Sequence, residues 1–346
     1  MARPIKFVEV ESGLCGQSPY GKMGAELGID AIKLVAITKG STLFIDNESL
    51  VSVSIQEHYD YQKNNTEQYF YDMYPRNLVT ARHIDYLLPV CQKVATDIAN
   101  ELRAGSFPFV LAGDHSTAAG TIAGIRQALP DKKLGVVWID AHGDLHSPYT
   151  SQSGNMHGMP VGVSLALEQH EREWYNNAVP EDVAEKWRRL CHLGNISPKI
   201  DFADLVFIGI RDLEEAEWDI IKQHNIKHFR GGIDRYADTH SSNFMNNFTM
   251  HQIYMATIEH LSHCDIIYVS FDIDSVDGGL VPGTGTPVPH GLNVAQARDL
   301  LSHFWHNPKV VALEMVEVNP LLDIKNQTAV VAYELIGHLY YSENNG

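Results

Sequence analysis

The sequence predicts an α/β fold in which helices cover a mostly parallel sheet. Short runs of apolar, β-branched residues alternate with segments of helical periodicity along most of the chain, and strands covered by helices have this composition. Of the 346 residues, 44% are hydrophobic, so the chain can bury a large core. The sequence has no internal repeat, no low-complexity tract and no long linker rich in Pro, Gly or Ser. We therefore expect residues 1–346 to form a single domain.

The predicted elements follow this alternation in chain order. The strands are residues 5–9, 107–112, 134–140, 205–210, 266–272 and 310–318, and the helices are residues 80–104, 117–128, 214–224, 250–263, 294–304 and 328–341. Two regions, residues 51–74 and 171–200, interrupt the rhythm, and we expect both to be insertions. The second contains EDVAEKWRRLCHLGN, which predicts a short amphipathic helix closed by Gly194.

Charge and composition exclude several classes of partner. The formal net charge is −17, whereas nucleic-acid binding requires clustered Lys and Arg, so this acidity suits a small cationic substrate. The sequence contains no apolar run of the roughly 18 residues that a membrane span needs, and MARPIKFVEVESG at its start has no apolar signal segment. We therefore expect a cytoplasmic protein that binds neither nucleic acid nor membranes. The four cysteines have no C-x-x-C spacing, which favours reduced, structural thiols.

Acidic residues and histidines directly follow three of the predicted strands. The motifs GDHS, DAHGD and FDID supply two histidines and four aspartates: His115, Asp140, His142, Asp144, Asp272 and Asp274. The carboxyl ends of neighbouring parallel strands meet in a shared crevice, so these side chains can converge although they lie far apart in sequence. The i, i+2 spacing within two of the motifs keeps the side chains on one side of an extended segment.

This donor set is typical of a site for divalent metal ions. Imidazole and carboxylate ligands without thiolate suit a hard or borderline ion, and carboxylates can bridge two ions. Each motif alone has an ordinary explanation, because an Asp-x-Asp after a strand is more often a turn or a helix cap, and His115 alone would be a hydrogen-bonded core residue. Their joint occurrence at three strand ends favours metal binding.

The same motifs resemble those of the ureohydrolase family. GDHS, DAHGD, SFDIDSVDGGLVPGTGTP and EVNP occur in the family's order over about residues 105–340, and SGNMHGMP and VEVNP resemble arginase rather than agmatinase or formimidoylglutamase. The resemblance implies a three-layer α/β/α sandwich, two Mn²⁺ ions, and hydrolysis of L-arginine to L-ornithine and urea by a metal-bridging hydroxide. It also implies a homo-oligomer, a trimer or a hexamer. Co²⁺, Ni²⁺ or Fe²⁺ would also suit these ligands.

The resemblance implies residue roles position by position. The six residues after the strands would bind the metals, and Asp144 would also pass a proton to the leaving amine. His157 in GNMHG would exchange protons with solvent, and Glu317 in EVNP would bind the guanidinium group. The amino-acid end of the substrate would be read by His146, Ser151, Ser153, Asn155, Glu214 and Glu217.

Departures from the family pattern leave the substrate open. His146 stands where many arginases have Asn, Glu214 stands where Asp is usual, and Ala112 and Gly278 replace a Gly and a Pro. None removes a predicted metal ligand. The alternative functions are a ureohydrolase for agmatine, guanidinobutyrate or formimidoylglutamate, a non-catalytic relative, and an unrelated metal hydrolase such as a phosphatase. No Lys or Arg adjoins the three metal motifs and Arg211 is expected to be structural, which argues against an anionic substrate.

Overall fold

The computed structural model describes residues 4–16, 24–47, 49–64, 80–169, 176–232 and 244–344. Its centre is one sheet of eight strands in the order β2-β1-β3-β8-β7-β4-β5-β6. Neighbouring strands are parallel throughout. The strands are β1 (Ile5–Val10), β2 (Leu50–Val53), β3 (Phe107–Ala112), β4 (Leu134–Ile139), β5 (Leu205–Ile210), β6 (Lys227–Arg230), β7 (Ile266–Asp272) and β8 (Val310–Val316).

Helices connect the strands, as parallel pairing requires. Within the described ranges they are α1 (Gly28–Thr38), α2 (Leu43–Asp46), α3 (Ile55–Asn64), α4 (Ile84–Arg103), α5 (Ala118–Ala128), α6 (Pro160–Leu165), α7 (Glu181–Cys191), α8 (Glu215–Gln223), α9 (Met250–His260), α10 (Val294–Trp305) and α11 (Gln327–Asn344). In the part of the chain that the structure describes, no helix is long and apolar enough to cross a membrane.

The sheet separates two apolar cores. On β4, Val137 and Ile139 belong to the core that α1, α9, α10 and α11 cover, whereas Val136 and Trp138 belong to the core under α4 to α8. All four side chains are fully buried, which explains why the central strands have continuous apolar sequences. The α/β fold predicted from the alternation, and the three layers implied by the resemblance, are therefore confirmed.

All six predicted strands and all six predicted helices form, with ends shifted by a few residues. Strands β2 and β6 were not predicted, because each has only four residues and lies at an edge of the sheet. The amphipathic helix predicted within residues 171–200 is α7, and Gly194 follows it with φ 83°. Of the first expected insertion, residues 51–64 complete β2 and form α3, and residues 65–74 lie outside the described ranges.

Candidate metal centre and adjoining cavity

The predicted ligands lie where the four central strands β3, β8, β7 and β4 end. Tight turns direct them into the crevice: Asp140 Oδ1 accepts a hydrogen bond from His142 N at 2.7 Å, and Asp272 Oδ1 accepts one from Asp274 N at 2.7 Å. Each aspartate thus uses Oδ1 to close an Asx turn, and its Oδ2 is directed into the site. The aspartates therefore form the turns expected of each motif alone, and the same geometry leaves carboxylate oxygens free to act as ligands.

One group of ligands surrounds His115. Its Nδ1 lies 3.1 Å from Asp140 Oδ2, 3.2 Å from Asp144 Oδ2 and 3.3 Å from Asp272 Oδ2. This nitrogen is buried and makes no hydrogen bond of good geometry, whereas Nε2 lies 2.7 Å from Ser270 Oγ. An imidazole nitrogen that faces three carboxylates without a well-aligned hydrogen bond is the arrangement that a bound cation requires.

A second group shares Asp140 with the first. His142 Nδ1 lies 3.1 Å from Asp274 Oδ2 and 3.4 Å from Asp140 Oδ1. Asp140 therefore directs one carboxylate oxygen toward each group, as a ligand that bridges two ions does. Two further contacts fix these oxygens, since Trp138 Nε1 donates to Asp140 Oδ2 at 3.0 Å and Thr286 Oγ1 donates to Asp274 Oδ2 at 3.2 Å.

The electrostatics of the centre favour an additional positive charge. Burial lowers the pKa of His115, but Asp140, Asp144 and Asp272 raise it well above its ordinary value. Burial, together with the charges of Asp274 and Asp140, raises the pKa of Asp272 well above its ordinary value as well. Negative charge is thus in excess at both groups, and these residues fit divalent cations.

Glu317 and His157 lie beside the first group. Glu317 directly follows β8, is 5% exposed, and accepts a hydrogen bond through Oε1 from His115 N at 2.9 Å. His157 Nδ1 lies 3.2 Å from the same oxygen, and one fifth of its side chain is exposed (20%). Burial lowers the pKa of His157, but the hydrogen bond to Glu317 raises it, to about 8. The pair joins the buried centre to solvent.

A cavity of about 260 Å³ opens beside the centre. Its walls are formed by His115, His142, Asp144, His146, His157, Gly158, Asp212, Leu213, Glu214, Glu217, Asp272 and Thr286. These described residues include no Lys or Arg. Arg211 lies nearby, but its guanidinium donates to six backbone carbonyls around it. The prediction that Arg211 is structural is therefore confirmed, and the cavity suits a cation better than a phosphate.

His146 lies in this cavity against acidic side chains. Its Nδ1 lies 3.1 Å from Thr150 Oγ1, and its Nε2 lies 3.5 Å from Glu214 Oε2 and 3.6 Å from Glu217 Oε2. Glu217 is positioned by the start of α8, where its Oε2 also accepts from Glu214 N at 2.9 Å, and by Leu145 N, which donates to its Oε1 at 3.3 Å. The predicted contact of His146 with a substrate carboxylate stays a prediction, because both ring nitrogens already face protein groups.

The three loop residues predicted to bind the substrate carboxylate make local contacts. Ser151 Oγ accepts from Gly154 N at 3.0 Å, and Ser153 Oγ accepts from Asn155 N at 3.1 Å. Ser151, Ser153 and Asn155 do not line the cavity formed by the described residues. Their roles in binding substrate stay predictions.

Two supporting residues escaped the sequence analysis although a signal was present. Ser270 bonds to His115, and Trp138 stacks on the His115 ring at 4.1 Å with an interplanar angle of 9°. Each lies two positions before a ligand, Asp272 or Asp140, and therefore on the same face of its strand. Polar or aromatic residues at i−2 from a strand-end ligand are candidates for this supporting role.

A parallel α/β sheet with two ligand groups that share a carboxylate at its carboxyl edge defines a candidate binuclear metal centre. A family model described as the arginase family matches residues 20–341. The arginase of Brevibacillus brevis is 31% identical over 323 residues, covering 92% of this chain and 93% of that protein. The chain belongs to the arginase family.

Solved structures agree with this assignment. The arginase of Bacillus cereus superposes with a TM-score of 0.74 at 29% identity over 98% of both chains. The arginase of Entamoeba histolytica, crystallised with L-ornithine, superposes with a TM-score of 0.75 at 25% identity over 98% of both chains. The similarity thus extends over nearly the whole length of this chain.

Proposed function

We propose that this protein hydrolyses the guanidinium group of L-arginine to give L-ornithine and urea, with two Mn²⁺ ions as cofactors. The observation that carries the proposal is the pair of ligand groups sharing Asp140, placed beside a cavity whose charged walls are acidic or imidazole side chains. Membership of the arginase family supports the same reaction. The acidic side chains that line the cavity would also attract the positive charge of this substrate.

The six predicted ligands would hold the ions: His115, Asp144 and Asp272 on one side, His142 and Asp274 on the other, and Asp140 between them. When bound, the ions supply Lewis acidity and a nucleophile at neutral pH, which a guanidinium carbon needs because its charge is delocalised over three nitrogens.

The remaining steps fall to side chains of the chain itself. Glu317 is buried next to His115 and would pair with the guanidinium group, orienting its carbon. Asp144 lies within the first group and would carry a proton to the leaving amine. His157, partly exposed and bonded to Glu317, would exchange protons with solvent. Glu214 and Glu217 would attract the substrate's α-amino group.

One observation favours agmatine as a second candidate substrate. Agmatine has a terminal ammonium group that Glu214 and Glu217 could bind, but it has no carboxylate. Of the residues expected to bind a carboxylate, Ser151, Ser153 and Asn155 do not line the described cavity, and His146, which does, already faces Glu214 and Glu217. The two substrates differ only in the carboxylate, and the described residues that line this cavity include no Lys or Arg to bind it.

Urea release tests the proposal. We expect the purified protein, loaded with Mn²⁺, to release urea from L-arginine, and a chelator-treated sample to release none. A parallel assay on agmatine separates the two candidates. Urea from agmatine alone would overturn the substrate assignment, and no urea from either compound would overturn the reaction.

We further propose a homo-oligomer, a trimer or hexamer, in the cytoplasm. Light scattering on the eluate of a size-exclusion column measures the mass of the assembly. A monomer of 38.7 kDa would contradict the proposed homo-oligomer.

A further inference from the structure

A second group of metal-ligand side chains lies at the opposite edge of the sheet. Asp204 directly precedes β5 and Cys264 lies two residues before β7, so this amino-edge cluster of Asp204, His263 and Cys264 forms where strands begin. Asp272 ends β7, whereas the amino-edge cluster lies before the start of this strand. The seven residues of β7 span roughly 23 Å. The amino-edge cluster is therefore distinct from the candidate metal centre.

The three side chains are in mutual contact. His263 Nε2 lies 2.8 Å from Asp204 Oδ1, Cys264 Sγ lies 3.7 Å from the same oxygen, and Sγ lies 3.6 Å from His263 Nε2. In tetrahedral zinc coordination, with metal–ligand distances of about 2.0–2.3 Å, neighbouring ligand atoms lie roughly 3.3–3.6 Å apart. The cluster is thus close to the spacing of a zinc site, and only the His263–Asp204 contact must lengthen.

The tautomer of His263 points to a cation in the cluster. Its Nδ1 lies 3.0 Å from the backbone carbonyl of His260, which can only accept, so Nδ1 carries a proton. In the neutral ring Nε2 is then an acceptor, and it faces a carboxylate oxygen, which is also an acceptor. A proton or a metal ion must therefore lie between these two atoms. A histidine whose second nitrogen donates to a carbonyl is the usual form of a metal ligand.

We propose that Asp204, His263 and Cys264 form a further metal site that binds Zn²⁺ in preference to Mn²⁺. Thiolate together with imidazole selects zinc, whereas the thiolate-free candidate metal centre suits manganese. The side chain of His263 is 40% exposed, so the cluster opens to solvent, which supplies the fourth ligand. The proposal does not depend on the arginase reaction.

Lys133 is the competing cation at this site. Its Nζ lies 3.1 Å from Asp204 Oδ1, and its side chain is 42% exposed. Being partly exposed, it can move away when an ion binds, and Asp201 Oδ2 lies 3.7 Å from its Nζ as a second partner. The ion must displace Lys133, which lowers the affinity of the site for metal.

A reactive cysteine does not explain the cluster. Cys264 is 1% exposed, and burial together with the charge of Asp204 raises the pKa of its thiol to about 12. A nucleophilic cysteine needs access and a lowered pKa. The contacts of this buried thiol with imidazole and carboxylate suit a metal ligand better than a nucleophile.

Cadmium reports on the site because a thiolate–Cd²⁺ bond absorbs in the near ultraviolet. The full chain, first saturated with Mn²⁺ at its carboxyl edge, is titrated with Cd²⁺ and then with Zn²⁺ as a competitor. We expect one equivalent of Cd²⁺ per chain to produce the absorption and Zn²⁺ to remove it. The predicted ligands at the carboxyl edge include no thiol, so occupancy there contributes no such signal.

Four variants complete the test. Cys264→Ser should lose the absorption, His263→Gln should bind Cd²⁺ at least about tenfold more weakly, and Lys133→Met should bind it more tightly. Cys191→Ser, which removes another buried thiol (3% exposed), should behave as the wild type. Absence of the absorption in the wild type would overturn the proposal, as would an unchanged absorption in Cys264→Ser. If Cys264→Ser does not fold, equal Cd²⁺ affinity of His263→Gln and the wild type would overturn it equally.

Discussion

The two edges of the sheet both gather metal-ligand side chains, but they differ in how charge is balanced. At the carboxyl edge, two histidines face four aspartates, and no Lys or Arg lines the described cavity. At the amino edge, a single aspartate of the cluster faces Lys133 as well as His263. The excess of carboxylates at the first edge suits a cation directly, whereas an ion at the second edge would first have to displace Lys133.

The chain path explains part of this difference. Ligands at the carboxyl edge are supplied by residues that immediately follow strands, so i, i+2 spacing presents two or three carboxylates or imidazoles from one segment. At the amino edge the donors come from the segments that lead into β5 and β7. Each of those segments is the end of a helical turn and contributes only one or two metal-ligand side chains. The carboxyl edge therefore accumulates more charge than the amino edge does.

The largest expected effect comes from Asp144→Ala at the carboxyl edge. We expect kcat for urea release to fall by roughly 10²–10⁴-fold, because the leaving amine loses its proton donor, while circular dichroism shows an intact fold. Asp144 has φ 50°, which Asn tolerates better than Ala, so Asp144→Asn separates lost chemistry from backbone strain and should show the same decrease.

Asp60→Ala serves as the control, since Asp60 is exposed on α3 and lies 55 positions before the first predicted ligand, His115. It should retain wild-type turnover. The cadmium absorption of the amino edge should be unchanged in all three variants, which would demonstrate that the two edges are independent. Near-wild-type kcat in both Asp144 variants would refute the role of Asp144.

The carboxyl edge was largely predictable from the sequence, for a physical reason. All six residues of β4 are buried, so its apolar sequence identifies the strand, and the polar residues that follow must lie at its end. The short strands β2 and β6 lack this signal. With four residues each, at the edges of the sheet, they have little apolar sequence to distinguish them from loops.

Contacts between loops were not predictable. The position of His146 against Glu217 depends on two features. The sequence predicts the start of α8, but it does not predict how that helix packs beside the loop after β4. The amino-edge cluster has the same origin, because Asp204 and Cys264 are 60 positions apart and no short spacing links them. Side chains that meet only through tertiary packing give no periodic signal.

A smaller effect is expected from His146→Ala, which tests what the cavity recognises. L-ornithine and 1,4-diaminobutane differ only in the carboxylate, so their inhibition constants isolate that group. His146 contacts Glu214 and Glu217, and we therefore expect both inhibitors to weaken by a similar factor, on the order of tenfold. Loss of ornithine binding alone would instead show that His146 contacts the carboxylate directly. His192→Ala, at an exposed histidine, should change neither constant.

An effect on stability alone, without a change in activity, is expected for a second lysine at the amino edge. Lys199 is 3% exposed, and its Nζ donates to the carbonyls of Leu190 at 3.1 Å and Cys191 at 2.7 Å, at the end of α7. Burial lowers the pKa of Lys199 to about 8. Between pH 8 and the unfolded-chain pKa near 10.4, the unfolded chain binds more protons than the folded chain. The free energy of unfolding therefore rises with pH in this window.

Lys199→Met removes the titrating group and keeps most of its buried volume. From pH 7 to 9.5, we expect the free energy of unfolding of the wild type to rise by about 2 kcal/mol relative to that of the variant. Urea denaturation of both proteins at the two pH values measures this difference, and titration of the remaining groups cancels in the comparison. If the difference in the free energy of unfolding between wild type and variant does not change with pH, the prediction is wrong. The two carbonyls would then compensate for burial and keep the Lys199 ammonium charged throughout the window. The amino edge would then hold its buried cation by hydrogen bonds, whereas the carboxyl edge attracts a cation by uncompensated carboxylates.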